Sequence, residues 1–148
     1  MKTIRVKFKQ LDPDAKLPTR GTDAAAGFDL YACLQEPVAI RPKETRRIPL
    51  GFATAISEGW FGAVYARSGL ATKFGLRPAN CTAIIDSDYR GEWMVPIHND
   101  SECERIINVG DRIAQVVFQE HPVVVFDIVD ELDETERGEG GFGSTGKN

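Results

Sequence analysis

One stretch of this sequence sets the architecture we expect from the whole chain. It runs Asn-Cys-Thr-Ala-Ile-Ile-Asp-Ser-Asp-Tyr-Arg-Gly-Glu-Trp from Asn80 to Trp93. A β-branched run, several turn-forming residues and a second apolar run predict two strands joined as a hairpin with a loop longer than two residues. Asp86 directly follows an apolar pair, where desolvating a carboxylate is costly, and Tyr89 occupies a turn that usually takes a small polar residue. A hairpin needs neither residue, so both indicate a function.

Short β-rich runs recur on both sides of this stretch, separated by proline and glycine, whereas helical periodicity is scarce. Their spacing predicts an all-β sandwich or barrel with one short helix at about residues 69–74. The predicted strands cover residues 3–8, 28–31, 38–40, 44–48, 51–55, 61–66, 82–85, 92–97, 105–107, 113–118 and 123–128. We expect one β-domain over residues 1–129. Residues 130–139 are mostly acidic and the following nine are rich in glycine, so residues 130–148 are predicted to form a flexible C-terminal arm.

Composition excludes several classes of function. The 148 residues are 42% hydrophobic and carry a formal net charge of −4, which disfavours nucleic acid as the main partner. No apolar run approaches the roughly 20 residues of a membrane span, so we expect no membrane association. Cys33, Cys81 and Cys103 form no Cys-x-x-Cys pair, and an odd number of cysteines favours a reducing compartment over a disulfide framework.

Three segments carry charged or polar residues beside apolar strands. Arg67 and Ser68 stand where a strand gives way to the helix, with Ser68 predicted as the N-cap; together they could bind an anion or form a plain cap beside a surface arginine. Arg112 and Gln115 could donate to phosphate or belong to an ordinary strand edge. Asp29 lies within an apolar strand and needs a cation or hydrogen-bond donors, so an ion pair with Arg67 or Arg112 is at least as well supported as metal ligation.

The glycine-rich terminus matches parts of two nucleotide-binding motifs, but neither has the strand and helix that such motifs require. Phe142, followed by Ser144 and Thr145, is typical either of a disordered tail or of a segment that orders over a ligand.

Five segments, in order, resemble the motifs of the trimeric-type deoxyuridine triphosphatase (dUTP nucleotidohydrolase) family. They are Ala-Gly-Phe-Asp-Leu at 26–30, Arg-Ser-Gly-Leu-Ala at 67–71, the stretch from Asn80 to Glu92, Gly-Asp-Arg-Ile-Ala-Gln at 110–115, and Arg-Gly-Glu-Gly-Gly-Phe-Gly-Ser-Thr-Gly at 137–146. The segments span nearly the whole chain, and their common order makes the resemblance specific.

The resemblance implies a distorted jelly roll that assembles as a homotrimer with active sites shared between chains. It implies Mg²⁺-assisted attack of water on the α-phosphate of dUTP, giving dUMP and pyrophosphate. This reaction keeps uracil out of DNA and supplies dUMP for dTTP synthesis. The implied location is the cytoplasm, or the host cytoplasm if the gene is viral.

The resemblance also implies the roles of individual residues. Asp86 is the base that deprotonates the attacking water, helped by a low-dielectric surround, and Tyr89 lies against the deoxyribose so that no 2′-hydroxyl fits. Asp29 contacts Mg²⁺ indirectly, through water. Asn80 binds uracil, and Phe142 stacks over it. Arg137, Ser144 and Thr145 bind the γ-phosphate. The full set of implied substrate-binding residues is Arg67, Ser68, Gly69, Asn80, Ile85, Tyr89, Gln115, Arg137, Phe142, Gly143, Ser144 and Thr145.

Two other functions compete with this interpretation. A dCTP deaminase shares the architecture and the Arg-Ser start of the second motif, but uses a glutamate base and lacks the Asp-x-Asp-Tyr form of the loop. A dUTP-gated regulatory protein would use the nucleotide-closed arm to bind a nucleotide-dependent protein partner, a role compatible with catalysis.

Overall fold

Eleven strands and one helix form within residues 3–141, the part of the chain that the computed structural model describes. Every pairing between these strands is antiparallel. The elements are β1 Val6–Gln10, β2 Phe28–Tyr31, β3 Val38–Ile40, β4 Thr45–Pro49, β5 Phe52–Ile56, β6 Trp60–Tyr65, α1 Ser68–Phe74, β7 Leu76–Pro78, β8 Ala83–Ile85, β9 Met94–Asn99, β10 Arg105–Ile107 and β11 Arg112–Glu120.

The strands form four sheets around one apolar core. The larger sheets have the orders β2-β11-β6-β8 and β4-β9-β7, and the pairs β1-β5 and β3-β10 complete the layers. Alternation along β9 shows why the sheets pack, because Val95, Ile97 and Asn99 are buried while the residues between them face outward. The all-β prediction is confirmed, although the pairing within residues 3–141 does not close into a barrel.

Trp93 and Phe52 lie at the centre of the core, with ring centroids 5.3 Å apart. The indole Nε1 of Trp93 donates to the hydroxyl of Thr54 at 3.1 Å, so the buried ring keeps its polar atom satisfied. Asn99 is fully buried, and its amide donates to the carbonyls of Ile40 and Cys103. These bonds tie the end of β9 to β3 and to the segment that precedes β10.

The predicted hairpin over residues 80–97 is wrong. β8 pairs with β6, whereas β9 pairs with β4 and β7, so the stretch crosses from one sheet to the other. The backbone of Trp93 explains the crossing, because its N–H donates to Phe52 at 2.9 Å and its carbonyl accepts from Leu50 at 3.0 Å. The β4–β5 connection therefore takes the hydrogen bonds that a hairpin partner would have used.

The strand predicted at residues 123–128 is also wrong. Residues 121–141 carry neither helix nor strand. Val123, Phe126 and Ile128 are 93%, 88% and 100% exposed, because no strand within residues 3–141 pairs with this apolar run. High β-propensity forms no strand without a partner for its backbone.

Two smaller differences concern the segment around the helix. α1 begins at Ser68, and its N-cap is Arg67 with no side-chain cap, so the prediction of Ser68 as the capping residue is wrong. The short strand Leu76–Pro78 was not predicted, since its arginine and proline give a weak strand pattern. No helix in residues 3–141 is long and apolar enough to span a membrane.

Candidate active site

The loop that follows β8 presents Asp86 to solvent. The N–H of Tyr89 donates to the Asp86 carbonyl at 3.2 Å, and Arg90 Nη1 donates to the Ser87 carbonyl at 2.7 Å, which closes a tight turn. Asp86 is exposed, and Ile84 beside it is 55% exposed. Residues 3–141 of one chain therefore do not supply the low-dielectric surround expected around this carboxylate.

Tyr89 lies beside Asp86 on the wall of a cavity of about 320 Å³. Ile85 and Trp93 form part of the apolar wall of this cavity. The Tyr89 hydroxyl donates to the Glu92 carbonyl at 3.0 Å, which holds the ring across its own loop. The loop thus combines a free carboxylate, an aromatic ring and an apolar recess, a combination suited to a small molecule with a flat ring and a reactive polar group.

Asn80 lies at the opposite end of β8 from Asp86. It is exposed, and its carbonyl accepts from the N–H of Thr82 at 2.6 Å, which bends the chain before the strand begins. The next residue, Cys81, has a φ of 60°. The bend leaves the Asn80 side chain on the surface, where it can reach a ligand.

A second group of polar residues is built around Asp29 on β2. Its Oδ1 accepts from Arg67 Nε at 2.8 Å and its Oδ2 accepts from Arg112 Nη1 at 3.1 Å. The Asp29 side chain is only 15% exposed, so the two guanidinium groups compensate for the desolvated carboxylate. The ion-pair interpretation of Asp29 is confirmed, and it includes both arginines.

Gln115 on β11 joins this group through the strand ladder. It lies opposite Asp29 on one side and Tyr65 on the other. Its Nε2 donates to the Ala66 carbonyl at 2.9 Å. A Cβ on Gly27 would lie 2.6 Å from Gln115 Oε1, so the glycine leaves the space that this amide fills. The strand pairing and the bond to Ala66 therefore hold this amide close to Arg67.

Ser68 and Gly69 continue from Arg67 at the start of α1, and both are exposed. The space around Gly69 is open, because a Cβ there would meet no atom within 4 Å. The half-buried Arg67 and Gln115 and the exposed Ser68 and Gly69 therefore form one edge rich in hydrogen-bond donors.

The two groups are far apart within one chain. Asp86 follows Ile85, which pairs with Gly62, so Asp86 lies at the level of Phe61, whereas Gln115 pairs with Tyr65. Phe61 and Tyr65 are separated by four residue steps, which is about 13 Å at roughly 3.3 Å per residue. β8 and β11 also lie on opposite sides of β6, which adds two strand spacings of about 4.8 Å each. A single chain therefore does not bring Asp86 and the donor edge onto one small ligand.

The described residues offer few ligands for a protein-bound metal. Within residues 3–141 no three His, Cys, Asp or Glu side chains converge to hold an ion. Both oxygens of Asp29 already accept from guanidinium groups. This donor set fits a cation held mainly by ligand oxygens and water, which is the habit of Mg²⁺ at phosphate sites.

The C-terminal segment contributes only Arg137 to the described part of the site. Its Nε donates to the Gly140 carbonyl at 2.8 Å within a turn, and its surroundings are exposed. Phe142, Gly143, Ser144 and Thr145 lie outside the described residues.

Three residues near the site were outside the predicted set of substrate-binding residues. The sequence indicated Arg112 as a possible phosphate donor and as a possible partner of Asp29, and the structure shows that it binds the carboxylate together with Arg67. Glu92 accepts the Tyr89 hydroxyl, and Arg47 lines the same cavity as Tyr89. The Tyr-x-Gly-Glu spacing was the available signal for Glu92, whereas Arg47 comes from a strand distant in sequence and gave none.

The chain is similar to several known proteins. A family model described as dUTPase matches residues 13–146. The deoxyuridine 5'-triphosphate nucleotidohydrolase of Desulfitobacterium hafniense is 46% identical over 149 residues, covering 99% of this chain and 99% of the relative.

Solved structures show the same likeness. The dUTPase of Staphylococcus bacteriophage 80alpha with dUpNHpp has a TM-score of 0.88 at 29% identity, covering 97% of this chain and 99% of the phage chain. That phage dUTPase is described as controlling transfer of virulence genes by a proto-oncogenic G protein-like mechanism. A mutant dUTPase from phage phi11 of S. aureus, described with a coordinated structural Mg(II) ion, shares the fold with a TM-score of 0.79 at 24% identity, covering 88% of this chain and 99% of that chain.

Proposed function

The chain belongs to the dUTPase family, and on that premise we propose that it hydrolyses dUTP to dUMP and pyrophosphate by attack of water on the α-phosphorus. The observation that carries this proposal is the loop after β8, which exposes Asp86 and Tyr89 together beside one cavity. The reaction keeps uracil out of DNA and supplies dUMP for dTTP synthesis.

Asp86 acts as the general base. No hydrogen bond or ion pair within the described residues engages its carboxylate, which is therefore free to accept a proton from water. The hydrogen-bonded turn fixes the backbone that carries Asp86. The apolar surround that would strengthen this base comes from a neighbouring chain or from the closed arm, since one chain leaves Asp86 exposed.

Arg67, Ser68, Gly69 and Gln115 bind the triphosphate. Asp29 holds the Arg67 guanidinium through Nε, and Arg67 Nη1 donates to the Arg112 carbonyl at 3.4 Å, so the group is fixed at two points. An oriented guanidinium and backbone N–H groups stabilise phosphate charge at little cost in reorganisation.

Tyr89, Ile85 and Asn80 select the nucleoside. The Tyr89 ring lies against the deoxyribose and excludes a 2′-hydroxyl, and Ile85 packs on the apolar side of the recess. Asn80 pairs with the edge of uracil, so that cytosine leaves its donors and acceptors unpaired. A dCTP deaminase is disfavoured by the intact Asp86 and Tyr89 and by the family match.

Mg²⁺ is the cofactor in this proposal, held chiefly by the triphosphate, with Asp29 contacting it through water. When bound, it neutralises phosphate charge and polarises the phosphoryl oxygens. The absence of three converging ligands within residues 3–141 is compatible with such a substrate-held ion.

Residues 130–148 form a flexible arm that closes over the bound nucleotide. Phe142 stacks on uracil, and Gly143 lets the backbone approach the ligand. Arg137, Ser144 and Thr145 bind the γ-phosphate. Closure excludes bulk water and completes the site.

A homotrimer with shared active sites explains two features of the single chain. Asp86 and the donor edge are too far apart to act on one phosphate group. The apolar side chains of residues 123–129, such as Val125 and Phe126, are also left exposed by the rest of residues 3–141. Sedimentation equilibrium should give a mass three times the 16.3 kDa of one chain, and a 16.3 kDa particle that hydrolyses dUTP at full rate would exclude sharing.

We place the protein in the cytoplasm, or in the host cytoplasm if the gene is viral. Cys33, Cys81 and Cys103 are free, which suits a reducing compartment. The net charge of −4 disfavours a nucleic-acid partner.

Pyrophosphate release tests the proposed reaction. The assay compares dUTP with dCTP, dTTP and UTP, each with Mg²⁺ and with a chelator, and measures ammonia from dCTP in parallel. Rapid release from dUTP alone, dependent on Mg²⁺, is expected. Ammonia release from dCTP without pyrophosphate from dUTP would assign the deaminase reaction instead.

A second role as a nucleotide-gated binder is favoured by the fold shared with the 80alpha phage dUTPase. In this role the closed arm presents a surface to a protein partner. A pull-down with and without a non-hydrolysable dUTP analogue tests it. A partner retained only with the analogue supports the role, and identical pull-downs oppose it.

A further inference from the structure

The Tyr89 ring occupies space that only a glycine at position 91 leaves open. A Cβ on Gly91 would overlap the Tyr89 hydroxyl oxygen and would lie 2.6 Å from Cζ and 2.9 Å from Cε2. Carbon atoms normally approach each other no closer than about 3.5 Å. An alanine at this position would therefore push the end of the ring away by about 1 Å.

The glycine is required here for space and not for its backbone. Positive φ angles occur at Gly51, Gly59, Gly75, Gly110 and Gly138, but not at Gly91. An alanine at position 91 can therefore adopt the native backbone. The nearest obstacles are atoms of the Tyr89 side chain, so the ring must yield.

Glu92 holds the hydroxyl end of the same ring. Its carbonyl accepts the Tyr89 hydroxyl at 3.0 Å, and its Oε1 accepts the N–H of Gly51 at 3.1 Å. Gly51 is buried, and the next residue, Trp93, is bonded through its backbone to Leu50 and Phe52. The acceptor of the tyrosine hydroxyl is thus tied to the core at the β4–β5 connection.

We propose that Gly91 and Glu92 are positioning residues that fix the Tyr89 ring and thereby set the preference for deoxyribose over ribose. The proposal rests on the proposed contact between Tyr89 and the sugar. Gly91 gives the ring its space, and Glu92 limits its movement. Neither residue needs to touch the nucleotide.

The first test is Gly91→Ala, assayed as kcat/KM for dUTP divided by kcat/KM for UTP. Because a displacement of about 1 Å can cost two orders of magnitude, this ratio should fall by about tenfold or more, with KM for dUTP rising more than kcat falls. Gly21→Ala is the matched control, since a Cβ there meets nothing within 4 Å. An unchanged ratio in folded Gly91→Ala overturns the proposal for Gly91.

The second test uses Glu92 and needs no change at Gly91. Glu92→Ala removes the anchor on Gly51 and should lower the ratio, whereas Glu92→Gln keeps a carbonyl oxygen that can accept the same N–H and should restore it. Equal ratios for the alanine and glutamine variants overturn the anchoring role. This pair decides the question even if Gly91→Ala fails to fold.

Tyr89→Ala distinguishes the positioning proposal from the sugar-contact proposal on which it rests. If Tyr89→Ala leaves the exclusion of UTP intact, the proposed sugar contact of Tyr89 is wrong and the positioning proposal falls with it. If Tyr89→Ala admits UTP while the Gly91 and Glu92 variants keep wild-type ratios, the sugar contact stands and only the positioning proposal is refuted.

Discussion

Replacing Asp86 by asparagine should remove catalysis without weakening the fold. The carboxylate makes no hydrogen bond or ion pair within the described residues, and it lies on an exposed loop. Asparagine has nearly the same shape and preserves the backbone turn. The free energy of unfolding should therefore change by no more than about 0.5 kcal/mol, which is typical of a surface substitution.

The expected kinetic effect is far larger. A positioned general base contributes about 10² to 10⁴ in rate, so the barrier of Asp86→Asn should rise by roughly 3 to 5 kcal/mol. Affinity for a non-hydrolysable dUTP analogue should stay largely intact, since an amide there removes one negative charge near the phosphates.

Three measurements on one preparation test this separation. They are kcat by pyrophosphate release, Kd by titration calorimetry with the analogue, and the melting temperature. Asp88→Asn is the matched control, because Asp88 is an exposed carboxylate of the same turn, and its kcat should remain near the wild-type value. A kcat for Asp86→Asn within a few-fold of wild type would refute the base assignment.

Three further predictions follow from other parts of the chain. Deletion of residues 131–148 should lower kcat sharply. The melting temperature should not change, because the described part of that segment is exposed and lies outside every strand and helix. Unchanged kinetics would refute the proposal that the arm closes over the site. Asp29→Ala leaves Arg67 and Arg112 without their shared carboxylate, so the free energy of unfolding should fall by about 2 to 3 kcal/mol. The melting temperature should fall by about 4 to 12 °C, and a calorimetric scan with no shift would contradict this. Burial, with help from nearby carboxylates, raises the pKa of the Cys33 thiol from 9.0 to about 11, so folding favours the protonated thiol. This stabilisation is complete below pH 9.0 and is lost as the pH rises to about 11, and denaturant midpoints of wild type and Cys33→Ala should show the pH-dependent difference.

The sequence predicted those features of the fold that depend on local pattern. The strand bounds of β2, β3 and β10 agree with the prediction. Pairing partners could not be predicted in the same way. Whether the segment before Trp93 pairs with the segment after it depends on Leu50 and Phe52, which are distant in sequence.

Site features that depend on local sequence were predicted, whereas those that depend on how side chains pack were not. Asp29 required a cation because an apolar strand surrounds it, and the structure supplies Arg67 and Arg112. The role of Gly91 was not predictable, because its neighbour is another side chain and not a ligand. Its requirement for space appears only when the ring of Tyr89 is placed.

The exposed run at residues 123–128 marks the limit of what one chain can show. Its residues have high β-propensity, yet none of them forms a strand within residues 3–141. Propensity describes how well a residue fits a pleated surface, and the surface itself must come from another segment or another chain.

Complementation between two inactive variants tests most directly the claim that the base and the phosphate donors of one site come from different chains. Asp86→Asn lacks the base and Arg67→Gln lacks a phosphate donor, and each alone should be nearly inactive. Chains mixed at equal amounts and allowed to assemble at random should regain about one quarter of wild-type activity, since half of the sites receive an intact Asp86 and half of those an intact Arg67. Activity no higher than that of the separate variants, in mixed trimers verified by differential tags, would contradict the shared site.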